Sequence, residues 1–176
     1  MEIGSDTEVG LHHRLIEAID QLNQWVGYAV AWLTLAMVTL TFVIVVLRYG
    51  FNIGSIAVQE SVTFLHAMVF LLGAAFTLQR DEHVRVDIFY QRFSERRKAL
   101  VDVAGTLLFL VPSCFFIFWV SLDYVGASWS VYEGSREAGG LPGVFLFKSL
   151  IPITAALLGL QGLAFGARRL LDWHHA

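Results

Sequence analysis

Six histidines and a single cysteine are the side chains of this sequence best suited to hold a metal or a cofactor. Haem carried between membrane helices asks for two histidines facing each other at matching depth. Only His66 stands inside a long uncharged stretch, whereas His12, His13, His83, His174 and His175 lie in or beside charged segments. His66 thus has two readings: a hydrogen-bond donor that packs one helix on another, or a ligand or proton-relay group. Cys114 is alone, which leaves no intrachain disulfide and no thiolate cluster, and its apolar surroundings read as those of a buried thiol. No nucleophile with a partnered base, glycine-rich phosphate loop or metal-spaced cluster is visible. The expectation is a protein that is not an enzyme and has no cofactor.

The elements that must carry these residues follow from composition. Of 176 residues 56% are hydrophobic and 15% charged, with 14 Phe, a balance too apolar for an ordinary soluble domain. The charges gather at the N-terminus, around residues 80–102, sparsely over 123–148, and at the C-terminus. A formal net charge of -3 supplies no basic field, so nucleic acid is excluded as an expected partner. Glu2, Asp6 and Glu8 precede the first apolar run, which starts only after Trp25; this is the layout of an uncleaved signal anchor.

Four apolar runs separate the charge clusters. Val26 to Leu47 would extend about 33 Å as a helix, enough to cross a hydrocarbon core. Ser61–Gln79, Val103–Leu122 and Ser149–Ala167 are the other spans; Pro112 predicts a kink in the third, and Pro152 suits the first turn of the fourth. The predicted fold class is therefore an all-α integral membrane protein with four transmembrane helices, a single membrane domain over 1–176. Four crossings put both termini and the middle loop on one side. That side holds Arg14, Arg80, Arg85, Arg92, Arg96, Arg97, Lys98, Arg168 and Arg169, against Arg48, Arg136 and Lys148 on the other. The positive-inside rule then places both termini in the cytoplasm. Trp25 and Trp173 at the inner boundaries, and Tyr49, Tyr124 and Trp129 at the outer ones, agree with it.

Between the second and third spans, Val86, Phe89, Phe93, Leu100 and Val101 recur at helical spacing, with Arg85, Gln91, Arg92, Glu95 and Arg96 between them. This predicts an interfacial amphipathic helix over about residues 84–101 whose arginines reach membrane lipid headgroups. Gly73, Ala74 and Ala75 in the second span, and Gly159, Gly162 and Gly166 in the fourth, are small-residue patches. They either let a helix of another subunit approach or pack these four spans on one another. A self-sufficient secondary transporter would carry internal repeats, broken helices and midplane polar groups. Four uncharged spans without visible duplication read as an accessory membrane subunit.

One stretch resembles a known family. QESVTFLHAMVFLLGAAFTLQRDEHVRVDIFYQRFSERRKALVDVAG, from Gln59 through Gly105, is similar to the core of the small, DctQ-like membrane subunit of tripartite ATP-independent periplasmic (TRAP) transporters, and SWSVYEGS, GGLPGVF and SLIPI extend the likeness. An acidic pair that opens the second span in the family corresponds to Gln59 and Glu60, so one carboxylate is replaced here. The family's histidine, basic residue and aspartate match His83, Arg85 and Asp87, and its outer-loop acid and serine match Glu133 and Ser135. The resemblance implies an inner-membrane scaffold subunit whose partners are a large multi-span transport subunit and a periplasmic solute-binding protein. It implies sodium-coupled uptake of organic acids, with sodium and solute bound by the large subunit, not by this chain. Within that picture Arg85 and Asp87 are expected to fix the corner after the second span by charge-assisted hydrogen bonds. The loop 123–148, with Trp129, Glu133, Ser135, Arg136 and Glu137, is expected to help dock the binding protein. The alternatives are a haem-binding redox membrane anchor and an independent channel.

Overall fold

A computed structural model describes residues 3–83 and 87–175. Expectations that rest on Arg85 and Val86 lie outside the described residues, as do those on the side chains of Asp87, Phe89 and Trp173.

All described elements are helical. They are α1 (Ile3–Phe51), α2 (Ile56–Gln79), α3 (Asp87–Tyr90), α4 (Glu95–Gly105), a π-helical turn (Thr106–Leu110), α5 (Val111–Ser130), α6 (Val144–Lys148) and α7 (Leu150–His175). Four helical stretches are long and apolar enough to cross a membrane: Arg14–Phe51, Ile56–Gln79, Glu95–Ser130 and Val144–Leu171. Each overruns its uncharged run, because a helix stops where its backbone is capped and not where its hydrophobicity ends.

The stops are local chemistry. At the end of α2, Asp81 takes a positive φ of 56° while Glu82 N–H bonds the Thr77 carbonyl (3.1 Å) and Asp81 N–H bonds that of Leu78 (3.1 Å). The same Schellman pattern ends α5, with Tyr132 at φ 45°, Glu133 N–H on Ser128 (3.0 Å) and Tyr132 N–H on Trp129 (3.2 Å). A non-glycine residue in this region costs about 1 kcal/mol or more. Both corners are therefore held by contacts further on in the chain.

Two expectations change in the structure. The predicted continuous helix over 84–101 is divided: α3 ends at Tyr90, a turn closes with Phe93 N–H on the Tyr90 carbonyl (3.0 Å), and Ser94 begins α4 from an extended conformation. A serine ahead of Glu95 is a helix-start signal. Leu100 and Val101 consequently belong to the start of the third long helix, and the apolar periodicity had joined two separate helices. The kink predicted at Pro112 takes the form of a π-helical turn just ahead of it, with proline in the opening turn of α5. The missing proline N–H and the clash of its ring with the preceding turn are accommodated by one wider turn.

Packing centres on α7. It contacts α5, α2 and α4 most, and the π turn and α1 to a lesser extent, while α1 lies chiefly against α2. In its most apolar window 39% of residues are buried, against 6% for α1, so α7 is the core helix and α1 a flank. Small side chains fill the core: Ala75, Ala99, Cys114, Ala155 and Ala164 are buried. Trp32, Phe42, Phe70, Phe109, Phe116 and Trp119 stand 66–74% exposed. Lipid or another protein must cover so large an apolar exterior.

Candidate interface sites at the two ends of the bundle

The loop after α5 is tied to the start of α2 by one carboxylate. Glu60 accepts hydrogen bonds from the Ser135 hydroxyl and from the Leu141 backbone N–H, the latter at 2.6 Å. The loop closes on itself through Ser135 N–H to the Leu141 carbonyl (2.9 Å) and Gly140 N–H to Glu137 (3.0 Å), and the Ser135 oxygen also accepts the Glu137 N–H (3.1 Å). This works only with glycine at 140. A Cβ there would sit 2.4 Å from Ser135 Oγ and 2.7 Å from Glu60 Oε2.

A second carboxylate closes the loop against its own helices. Glu133 accepts the Ser128 hydroxyl (2.7 Å) and pairs with the Lys148 ammonium, which also lies 4.1 Å from the centre of the Tyr124 ring. The hydrogen bond from Lys148, then that from Ser128, holds the Glu133 carboxyl below the usual glutamate value. Trp129 donates from its indole nitrogen to the Ser149 hydroxyl (2.8 Å) and meets Phe145 edge-on at 4.7 Å; Tyr132 does so at 5.6 Å. Phe64 stacks on Phe147 at 4.4 Å, joining α2 to α6. Of the five residues expected to dock a partner, Trp129, Glu133 and Ser135 are thus engaged within the chain. Arg136 and Glu137 remain exposed.

At the opposite end a polar network joins five helices. Asp20 of α1 accepts the Gln161 amide (3.0 Å) and the Arg168 guanidinium of α7, while the Gln79 amide donates to the Asp20 backbone carbonyl (2.9 Å). Asn23 donates to Gln161 Oε1 (2.7 Å) and to the Ile19 carbonyl (3.1 Å). Gln161 is fully buried and Asn23 is 1% exposed. Arg169 reaches Asp81 at the left-handed corner of α2 (3.1 Å), and its Nε lies 3.1 Å from Asp102 of α4, close enough for an ion pair but not aligned as a hydrogen bond. The Tyr90 hydroxyl of α3 donates to the same Asp102 (2.7 Å). The described contacts that fix this corner are therefore those of Asp81, Tyr90, Asp102 and Arg169. His83 is exposed just beyond it.

The small residues work inside the chain. A Cβ on Gly162 would lie 2.7 Å from Leu110 Cδ2, on Gly166 3.3 Å from Thr106 Cγ2, and on Gly159 3.3 Å from Cys114 Cβ. A Cβ on Gly73 would meet Val30 at an ordinary 3.7 Å, and one on Gly27 would run into the Phe76 ring. These contacts are why α7 can lie so close to the π turn and α5, and α1 to α2. His66 sits in an open crevice between α1 and α2, where no second histidine is among the lining residues.

Lys148, Gly140, Asp20, Asn23, Gln161, Asp81 and Asp102 were not singled out from the sequence. Gln161 alone carried a signal, as a polar side chain inside an otherwise apolar span. The others pair across the fold, Asn23 with a residue 138 positions away, and nothing in local spacing reveals that.

Known proteins complete the picture. The C4-dicarboxylate TRAP transporter small permease protein DctQ of Vibrio cholerae is 34% identical over 87 residues, 48% of this chain and 38% of that protein, so the chain matches less than half the length of that relative. A Haemophilus influenzae protein named as a TRAP transporter small permease protein is 28% identical over 120 residues, 65% of this chain and 70% of that protein. Residues 37–172 match the DctQ component of the tripartite ATP-independent periplasmic transporters. That match takes in Glu60, the loop it latches, the α7 seam and the Arg168 and Arg169 pair, and the chain belongs to the DctQ family.

Proposed function

We propose that this chain is the small scaffold subunit of a sodium-coupled, binding-protein-dependent transporter of organic acids, holding a large multi-span transport subunit in the bilayer. As a member of the family it is an inner-membrane protein. The observation that carries the reading is the division of its surface. Large aromatic and aliphatic side chains are exposed along the helices, while the polar groups of the two ends are largely spent on tying helix to helix. Such a body is built to be covered and to stay rigid. It performs no catalysis, and solute and sodium bind the large subunit.

The Vibrio cholerae relative carries C4-dicarboxylate in its name; an organic acid of that general class is the proposed cargo of the complex. Both termini and the Asp81–Asp102 corner face the cytoplasm, where nine of twelve basic residues fall. Phe93, between α3 and α4, lies along the inner headgroup region. On the outer side, Arg136 and Glu137 are the groups left for salt-sensitive contact with the periplasmic solute-binding protein. The family placement gives the haem alternative no support.

Copurification in mild detergent tests the reading. A tagged chain co-expressed with its partners should bring down a much larger multi-span protein. Recovery of the chain alone, or organic-anion uptake by vesicles holding only this chain, would overturn it.

A further inference from the structure

His66 stands ten residues after Ile56 and thirteen before Gln79, roughly 15 Å and 20 Å along α2, near the middle of a helix that crosses the bilayer. Its side chain is exposed. It borders a crevice of about 480 Å³ between α1 and α2, lined by Met37, Val38, Thr41, Phe42, Val62 and His66. Val38 and Phe42 on the lip are 58% and 68% exposed. No hydrogen bond joins the imidazole to any described residue, and the Thr41 hydroxyl donates back to the Met37 carbonyl of its own helix (2.8 Å).

An imidazole must present at least one N–H, and in hydrocarbon an N–H without an acceptor is costly. Polar side chains inside spanning helices accordingly face a protein partner or a water-filled cavity. A lipid acyl chain offers no acceptor, and a soluble periplasmic protein does not reach this depth. We infer that the crevice centred on His66 is the seat of a transmembrane helix of the large transport subunit, which sets a hydrogen-bonding side chain opposite His66 and an apolar flank against Val38 and Phe42. The seams of Gly162 and Gly166 are closed by this chain's own Leu110 and Thr106, and the open groove that Gly159 borders between α5 and α7 is lined by apolar side chains and Cys114, whereas the crevice between α1 and α2 is open and holds an imidazole. The inference rests on the proposed scaffold role and adds where the partner sits and what it must carry.

The test uses the assembled complex in mild detergent, with a photoreactive phenylalanine in place of Phe42. Irradiation should link position 42 to the large subunit; links only to lipid, or to a second copy of this chain, overturn the inference while leaving the scaffold reading intact. If the unmodified chain brings down no large protein, the scaffold reading fails and this one with it. His66→Leu should weaken retention of the large subunit roughly three- to thirty-fold, the range set by one interhelical hydrogen bond in a bilayer. His66→Gln should restore most of that retention, and neither variant should move the thermal midpoint of the isolated chain, where His66 touches no partner. Equal retention of all three forms would overturn the role of His66.

Discussion

Gly140 shows how a single missing methyl fixes a site. Its Cα passes so near Ser135 and Glu60 that the loop can lay Leu141 N–H and the Ser135 hydroxyl on one carboxylate. Gly140→Ala should therefore push the loop off α2 and destabilise the chain by about 1–3 kcal/mol, the usual cost of overpacking, read as a lowered thermal midpoint in detergent. Glu133 gives a pH test with a definite sign. Its carboxyl titrates below the usual glutamate value because Lys148 and Ser128 bond its charged form. Its contribution is complete above the unfolded value and is lost as pH falls through the lower folded one. Thermal stability should thus decline as pH drops below about 5, and Glu133→Gln should flatten part of that decline. An unchanged profile in Glu133→Gln would show that the carboxylate contributes nothing.

At the scale of elements, α7 is held on one side by steric fit and on the other by amide chemistry. Gly162→Leu would drive a side chain into Leu110 of the π turn and should cost about 1–3 kcal/mol. Gly126 in α5 has open space around it, so Gly126→Ala should instead stabilise by about 0.5–1 kcal/mol through helix propensity. Gln161→Leu takes from the fully buried Asn23 amide its acceptor on α7, leaving only the Ile19 carbonyl, and should cost about 1–3 kcal/mol. Adding Asn23→Leu should return part of that loss, a non-additivity that thermal unfolding of the four forms would measure. The existence of the four long helices was legible, because an uncharged run of that length permits little else. Their ends were not: Ser94 divides a periodicity that looked continuous, and Asp81 and Tyr132 stop helices from backbone conformations that their residue types disfavour. Glu60, Glu133 and Ser135 were marked by resemblance, yet what each touches depends on residues up to 81 positions away. Distance along the chain hides such pairs from any local pattern.

The whole molecule separates its surface by kind. Apolar side chains cover the flanks of α1, α2 and α5, and charge is confined to the two ends. Both ends are stapled, one through Glu60 and Glu133, the other through Asp20, Asp81 and Asp102, so the four crossing helices form a braced unit with a long unbroken α1 on its edge. The proposed orientation rests on a counting argument: the end with Arg80, Arg168 and Arg169 carries most of the positive charge, and insertion favours keeping such loops in the cytoplasm. Single cysteines placed at the exposed Arg136 and His83, in a Cys114→Ser background, would report it. Arg136→Cys should react with a membrane-impermeant thiol reagent in intact spheroplasts, and His83→Cys only after the membrane is permeabilised. The reverse pattern would place Arg136 and Glu137 in the cytoplasm, out of reach of any periplasmic protein, and the docking role proposed for them would fall while the braced fold stood unchanged.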